Sequence, residues 1–221
     1  MHIHHITCIQ NSKVILQDFS LYLNTHKITC LMGASGVGKS TLCHILARLI
    51  EPKTISRSPI DYSVGYVFQE PRLLAHLTVT QNILWGLSSH SKITETKVTQ
   101  LLSASQLLQV RDYYPHQLSG GMQQRVALLR AIITKPDLLL LDEALRGLDQ
   151  TLKMEIIHLI LDLHHASPMT TLFVSHSLEE CLAIGHRLLI VQGAPLTIVG
   201  DFMITNNKLS SHDAKRVKNL L

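Results

Sequence analysis

The stretch Gly33-Ala34-Ser35-Gly36-Val37-Gly38-Lys39-Ser40-Thr41 fits the spacing G-x-x-x-x-G-K-[ST]. Both the residue types and their order have a chemical reason. The glycines let successive backbone N–H groups turn inward around phosphate oxygens, and a helix that starts there adds the positive end of its dipole. An ammonium at Lys39 reaches the β- and γ-phosphates, and the Ser40 hydroxyl is a ligand for Mg²⁺. By itself the loop says nucleotide and no more. Leu138-Leu139-Leu140-Leu141-Asp142-Glu143 supplies a second half. Its apolar run reads as a strand buried on both faces, whose C-terminal end delivers two carboxylates to the sheet edge where ligands of open α/β sheets bind. There Asp142 holds Mg²⁺, directly or through water, and Glu143 polarises the water that attacks the γ-phosphate.

Such groups need a frame. Periodicity places strands at 3–9, 19–23 and Ile28–Met32, the last running into the glycine-rich loop and a helix over about 39–49. Residues 51–62, with two prolines and little pattern, read as loop, and 64–68 as a short strand. From 78 to 110 the pattern is helical with a break at 88–92, 113–118 is loop, and Ser119 caps a helix to about 134. Strands at Leu138–Asp142, 170–174, 187–191 and 196–199 then alternate with helices at 150–165 and Leu178–Ile184. This predicts an α/β fold: a mostly parallel sheet covered on both faces, preceded by an antiparallel β region. Residues 70–114 interrupt the alternation with helices alone. We expect one domain over 1–221, with its core at 1–69 and 115–221, an inserted helical subdomain at 70–114, and a further helix from 119.

Composition narrows the classes. Apolar residues make up 46% of the chain and charged ones 16%, which excludes disorder. No run approaches the eighteen or so apolar residues of a membrane span. Met1-His2-Ile3-His4-His5 lacks the basic and apolar blocks of a secretory signal, so a cytosolic chain held to a membrane only by partners is expected. The net charge of +4 is scattered except at Lys215-Arg216-Val217-Lys218, which reads as a solvated helix end, so no nucleic-acid patch is expected. Cys8, Cys30, Cys43 and Cys181 lack metal-ligand spacing and read as reduced core residues. His2, His4, His5, His164 and His165 likewise lack the flanking carboxylates or cysteines of a metal site.

Leu118-Ser119-Gly120-Gly121-Met122-Gln123-Gln124-Arg125 discriminates further. Ser119 and the N–H groups of Gly120 and Gly121 open a helix and form a second anion site. Here the sequence resembles the ATP-binding cassette (ABC) family, whose signature reads LSGGQ, with Met122 in the last position. The resemblance implies a P-loop NTPase (RecA-like) core in which these residues meet ATP held by the opposite subunit. It also implies that Gln69 contacts Mg²⁺ and the attacking water, that His176 contacts the γ-phosphate, and that Asp149 belongs to a loop crossing the dimer interface. The likeness runs from about 15 to 192. Around Phe68-Gln69-Glu70-Pro71-Arg72-Leu73-Leu74 and Tyr114-Pro115-His116-Gln117 it is most like the nitrate/sulfonate/taurine importer cassettes.

The chain departs from the family pattern in three places. Ile9 and Gln10 stand where an aromatic residue usually stacks on adenine, the short region between Leu49 and Val64 trims a usual β-hairpin, and Ala144-Leu145-Arg146 follows Glu143 in place of Pro-Phe. No room is expected after the core for a regulatory domain. The resemblance implies an ATPase subunit of a transporter, with ATP and Mg²⁺ as cofactors. It would pair with a second copy of itself and with membrane permease subunits and a solute-binding protein, at the cytoplasmic face of the cell membrane. Two rivals are a soluble cassette ATPase uncoupled from transport, which usually carries two cassettes or a long coiled coil, and a non-catalytic regulatory cassette. The latter would lack Lys39, Glu143 or His176, and all three are present.

Overall fold

The computed structural model describes residues 1–58, 61–87 and 95–220. Strands β1 (His2–Gln10) and β2 (Lys13–Tyr22) form a hairpin through Asn11 and Ser12, both at positive φ, the backbone that two-residue hairpin turns require. The main sheet holds β3 (Ile28–Met32), β5 (Val64–Val67), β6 (Leu138–Asp142), β7 (Thr170–Ser175), β8 (Arg187–Gln192) and β9 (Thr197–Met203). Its order is β5-β6-β7-β3-β8-β9, parallel throughout except for β9. The mostly parallel α/β architecture of a P-loop NTPase core is thus present.

One expectation fails. Residues 51–62 read as loop, yet Thr54–Ser58 forms a strand, β4, antiparallel to β1 in a small sheet of order β2-β1-β4. The local sequence has little alternation; what organises it is the open edge of β1, which receives Lys53 N–H on Thr7 O at 2.7 Å and Thr54 Oγ1–H on His5 O at 2.8 Å. The trimmed region therefore contributes a single strand. Helix boundaries also shift. Helix α1 (Lys39–Leu46) stops short of 49, and Arg48 follows at φ 58, a backbone that no helix can continue through.

Helices α2 (Val79–Leu84) and α3 (Glu95–Ala104) and a 3₁₀ turn at Leu108–Val110 occupy the stretch read as helical over 78–110. The break expected at 88–92 lies outside the described residues. Thr78 and Gln81 form a reciprocal capping box at the start of α2. Helices α4 (Gly120–Ile132), α5 (Gln150–Ala166) and α6 (Leu178–Ile184) follow, and α7 (Ser211–Leu220) carries the basic tail, buried only at Val217.

Alternate residues of each central strand enter opposite cores. Leu139, Leu141, Phe173 and Leu188 pack with α4, α5 and α6, whereas Leu138, Leu140, Leu172 and Leu189 pack with α1 and the inner face of β1 and β2. Each such side chain contributes about 2 kcal/mol by leaving water. All four cysteines are buried thiols. Sheet order has one consequence for chemistry. With β3 beside β7 and β7 beside β6, in register at Met32↔Ser175 and Asp142↔Val174, the loops after β3, β6 and β7 emerge side by side at one edge.

At the opposite end of the sheet, His164 and His186 lie with ring centroids 5.9 Å apart. Nδ1 of His186 accepts the Ile28 N–H at 3.2 Å, and Nδ1 of His164 is buried without a hydrogen-bond partner among the described residues. Burial first, and then neighbouring positive charge, holds both below the usual histidine range. The folded state therefore prefers both neutral, and the unfolded chain binds more protons below about pH 6.5. Stability is fully present above that value and is lost as pH falls through the folded values. Thermal melts should drop by several degrees from about pH 7.5 to about pH 5.5, and His164→Leu should flatten that slope.

Candidate functional site

Gly33 leaves β3 so close to β8 that a Cβ there would stand 2.3 Å from the Val191 carbonyl oxygen; only glycine fits. Gly36 and Gly38 have φ of 81° and 110°, which turn the loop back on itself and into α1. Ala34, Ser35 and Gly36 line the exposed rim, Val37, Gly38 and Thr41 are half-buried, and Ser40 faces out from the first turn of the helix. Lys39 is 4% exposed. Its Nζ donates to the carbonyls of Gly33 and Ala34, each at 2.8 Å, so the ammonium is curled inside the loop where phosphates would lie. Burial pushes this ammonium down from the usual lysine range, and nearby Glu143 and Asp142 offset part of that shift.

Asp142 ends β6 at 5% exposure, and both of its oxygens are engaged. Ser40 Oγ donates to Oδ1 at 3.1 Å and Tyr66 Oη donates to Oδ2 at 2.9 Å. Burial, and then the neighbouring Cys43 and Asp142, push the Tyr66 hydroxyl well above the usual tyrosine range, so it stays a donor. A hydroxyl and a carboxylate converging at the mouth of a phosphate loop make the hard-oxygen set that suits Mg²⁺, which keeps the rest of its shell for water and phosphate. Glu143 adopts φ 49°, a left-handed backbone that costs a non-glycine residue about 1–2 kcal/mol. Its N–H donates to Val174 O at 3.1 Å, and its carboxylate lies 3.9 Å from Lys39 Nζ and 2.9 Å from Arg146 Nη1.

His176 is exposed just beyond β7 and lines one cleft with Gly33 and Ala34. Its loop is fastened from behind. Ser175 Oγ donates to Glu180 at 2.5 Å, Lys153 pairs with Glu180 at 2.9 Å, and the Ser177 N–H donates to Ser175 Oγ at 3.0 Å. Gln69, two residues beyond β5, is exposed and makes no side-chain hydrogen bond among the described residues.

The remaining expected residues form a separate group. Ser119 caps α4 by accepting the Met122 N–H at 3.3 Å, and Gly120 stands in open space. Gly121 is buried; a Cβ there would meet Leu152 at 2.4 Å. Asp149 caps α5 by accepting the Leu152 N–H at 3.0 Å, so Leu152 joins the two helix starts. The hydrogen bonds of Ser119 stay within its own helix. Among the described residues, no hydrogen bond or ion pair joins Ser119 or Asp149 to the Lys39–Asp142 group.

Sequence reasoning missed Tyr66, Arg146 and the Ser175–Glu180–Lys153 network as parts of the site. Tyr66 is one aromatic residue of an ordinary strand, and only the pairing of β5 with β6 brings it to Asp142.

A nucleotide-accepting loop at a parallel sheet edge, with an acidic strand end beside it, defines a nucleoside triphosphatase of the P-loop class. Comparison with known proteins narrows this class. The chain belongs to the ABC transporter family, whose sequence model matches residues 16–146. It is 40% identical over 184 residues to the aliphatic sulfonates import ATP-binding protein SsuB 1 of Pseudomonas savastanoi pv. phaseolicola, covering 83% of this chain and 77% of that protein. It is 33% identical over 210 residues to the probable sulfate/thiosulfate import ATP-binding protein CysA of Chlorella vulgaris, covering 89% and 87%. Among solved structures, a dimeric ATP-binding cassette in a post-hydrolysis state with ADP and Pi superposes with a TM-score of 0.79 at 24% identity. That likeness spans 93% of this chain and all of the other. The fold is the same, and the family makes this chain an ATP-binding ATPase.

Gly33→Ala should destabilise the protein by about 1–3 kcal/mol, because the methyl meets backbone that cannot swing aside. Urea unfolding would register this as a lower midpoint at unchanged slope, together with weaker ATP binding.

Proposed function

We infer that this chain is the ATP-hydrolysing subunit of an importer, closing with a second copy of itself around ATP. The observation that carries the reading is the convergence of Lys39, Ser40, Asp142 and Glu143 at one sheet edge, with Lys39 held inside its loop. The N–H groups of residues 33–41 receive the phosphates, and Lys39 leaves the Gly33 and Ala34 carbonyls for the β- and γ-phosphate oxygens. Mg²⁺ would be held by Ser40 and Asp142, with Gln69 as the further ligand that the family resemblance implies, and would supply charge neutralisation for those phosphates. Tyr66 keeps the Asp142 carboxylate turned toward Ser40. Glu143 accepts the proton of the attacking water, and His176 donates to the γ-phosphate from the far wall of the cleft.

Ser119, Gly120 and Gly121 would complete the site of the second copy, with the free N–H groups of the α4 start aimed at its γ-phosphate and Asp149 crossing the interface. The lack of any hydrogen bond or ion pair among the described residues between the Ser119–Asp149 group and the Lys39–Asp142 group supports this arrangement. The helices of residues 70–114, including α2 and α3, act as a subdomain on the core of 1–69 and 115–221, and the surface near Glu70 would receive a permease segment. The relatives named above are import ATP-binding proteins for aliphatic sulfonates and for sulfate/thiosulfate. Uptake of a small anion through separate membrane subunits, fed by a solute-binding protein, is the corresponding role here, at the cytoplasmic face of the cell membrane.

With its membrane partner present, Glu143→Gln should lower turnover at least about 100-fold while ATP binding persists and a nucleotide-bound pair of chains accumulates. Equal turnover by wild type and variant, or hydrolysis by a lone monomer at full rate, would refute the reading.

A further inference from the structure

The three residues after Glu143, singled out by sequence as a departure from the family pattern, have a specific geometry. Ala144 and Leu145 are 4% and 1% exposed and anchor a tight turn in the core. The Arg146 N–H donates to Glu143 O at 3.0 Å, and Gly147 follows at φ 78°. The turn sends the Arg146 side chain back over its own start. Nη1 of Arg146 reaches Oε2 of Glu143 at 2.9 Å, pairing a half-exposed guanidinium with a carboxylate whose side chain is 9% exposed. The other oxygen, Oε1, faces Lys39 Nζ at 3.9 Å.

A charge problem follows. Two buried carboxylates, Asp142 and Glu143, stand at the mouth of a loop that must admit a polyanion. Asp142 has Ser40 and Tyr66 as donors. Glu143 has two cations beside it, and one of them, Lys39, is the group that turns toward the phosphates. Among the described residues, Arg146 is the cation that stays with Glu143 once Lys39 has turned. An uncompensated carboxylate there would repel the γ-phosphate more than the α- or β-phosphates, because Coulomb repulsion is strongest between near neighbours in a site shielded from water.

We propose that Arg146 is a positioning residue that fixes the Glu143 carboxylate and offsets its charge, so that the third phosphate of a nucleoside triphosphate can enter. The inference rests on the placement of Glu143 beside the γ-phosphate given under Proposed function. It makes Arg146 a determinant of triphosphate over diphosphate binding, whatever its effect on turnover.

The test is a calorimetric titration of the full chain with ADP and with the non-hydrolysable β,γ-imido analogue of ATP. Arg146→Ala should weaken the analogue about tenfold and ADP by less than about twofold, and Arg146→Lys should recover most of the loss. The decisive arm removes the charge itself. In a Glu143→Gln background, Arg146→Ala should change analogue binding by less than about twofold, because a neutral amide needs no counter-charge. Arg146→Gln supplies a second neutral variant should the alanine chain fold poorly. Equal weakening of both nucleotides, an undiminished loss in the Glu143→Gln background, or no loss at all would overturn the proposal. Wild type that binds ADP and the analogue while Arg146→Ala matches it sinks this inference alone. Wild type that binds neither sinks the function it rests on.

Discussion

A lysine ammonium removed almost wholly from water can remain charged only if negative groups stand beside it, and in this protein those groups come from a strand about a hundred residues away in the chain. Lys39 sits at the start of α1, and Asp142 and Glu143 at the end of β6. The order β6-β7-β3 brings them to one edge, with β7 between them supplying the Val174 carbonyl that accepts the Glu143 N–H. If any of these strands slipped by one residue, the leucines that face α1 would face α4 and α5, and the carboxylates would leave the loop. Hydrophobic register and site geometry are therefore one constraint.

The site has a working logic in its resting contacts. Lys39 is satisfied by the carbonyls of its own loop, Asp142 by two hydroxyls, and Glu143 by two cations. Every charged group has a partner that it can give up for something better. A phosphate offers Lys39 a full negative charge in place of carbonyl dipoles, and such charge-assisted hydrogen bonds are about twice as strong. Gln69 and His176 are exposed and make no side-chain hydrogen bond among the described residues.

Behind the site, the His176 loop hangs on the Ser175–Glu180–Lys153 network, and α4 and α5 are locked through Gly121 and Leu152. These contacts run from the His176 loop to the start of α4 through half-buried side chains of α5. Close-packed elements of this kind shift as units rather than deform.

The amino-acid sequence by itself determined the local chemistry: the phosphate loop, the acidic end of β6, the serine cap of α4, and the alternation that makes a parallel sheet. Each of these rests on residues within a few positions of one another, so spacing alone expresses the physics. Only the tertiary structure decided the rest. The strand at Thr54–Ser58 exists because β1 offers it an open edge, Tyr66 serves the site because β5 pairs with β6, and Arg146 serves it because a buried Ala144-Leu145 turn aims it backward. None of these leaves a mark on local periodicity: the first two depend on which distant backbone or side chain supplies the missing partner, and the third on a turn geometry that folds Arg146 back onto Glu143 three residues earlier.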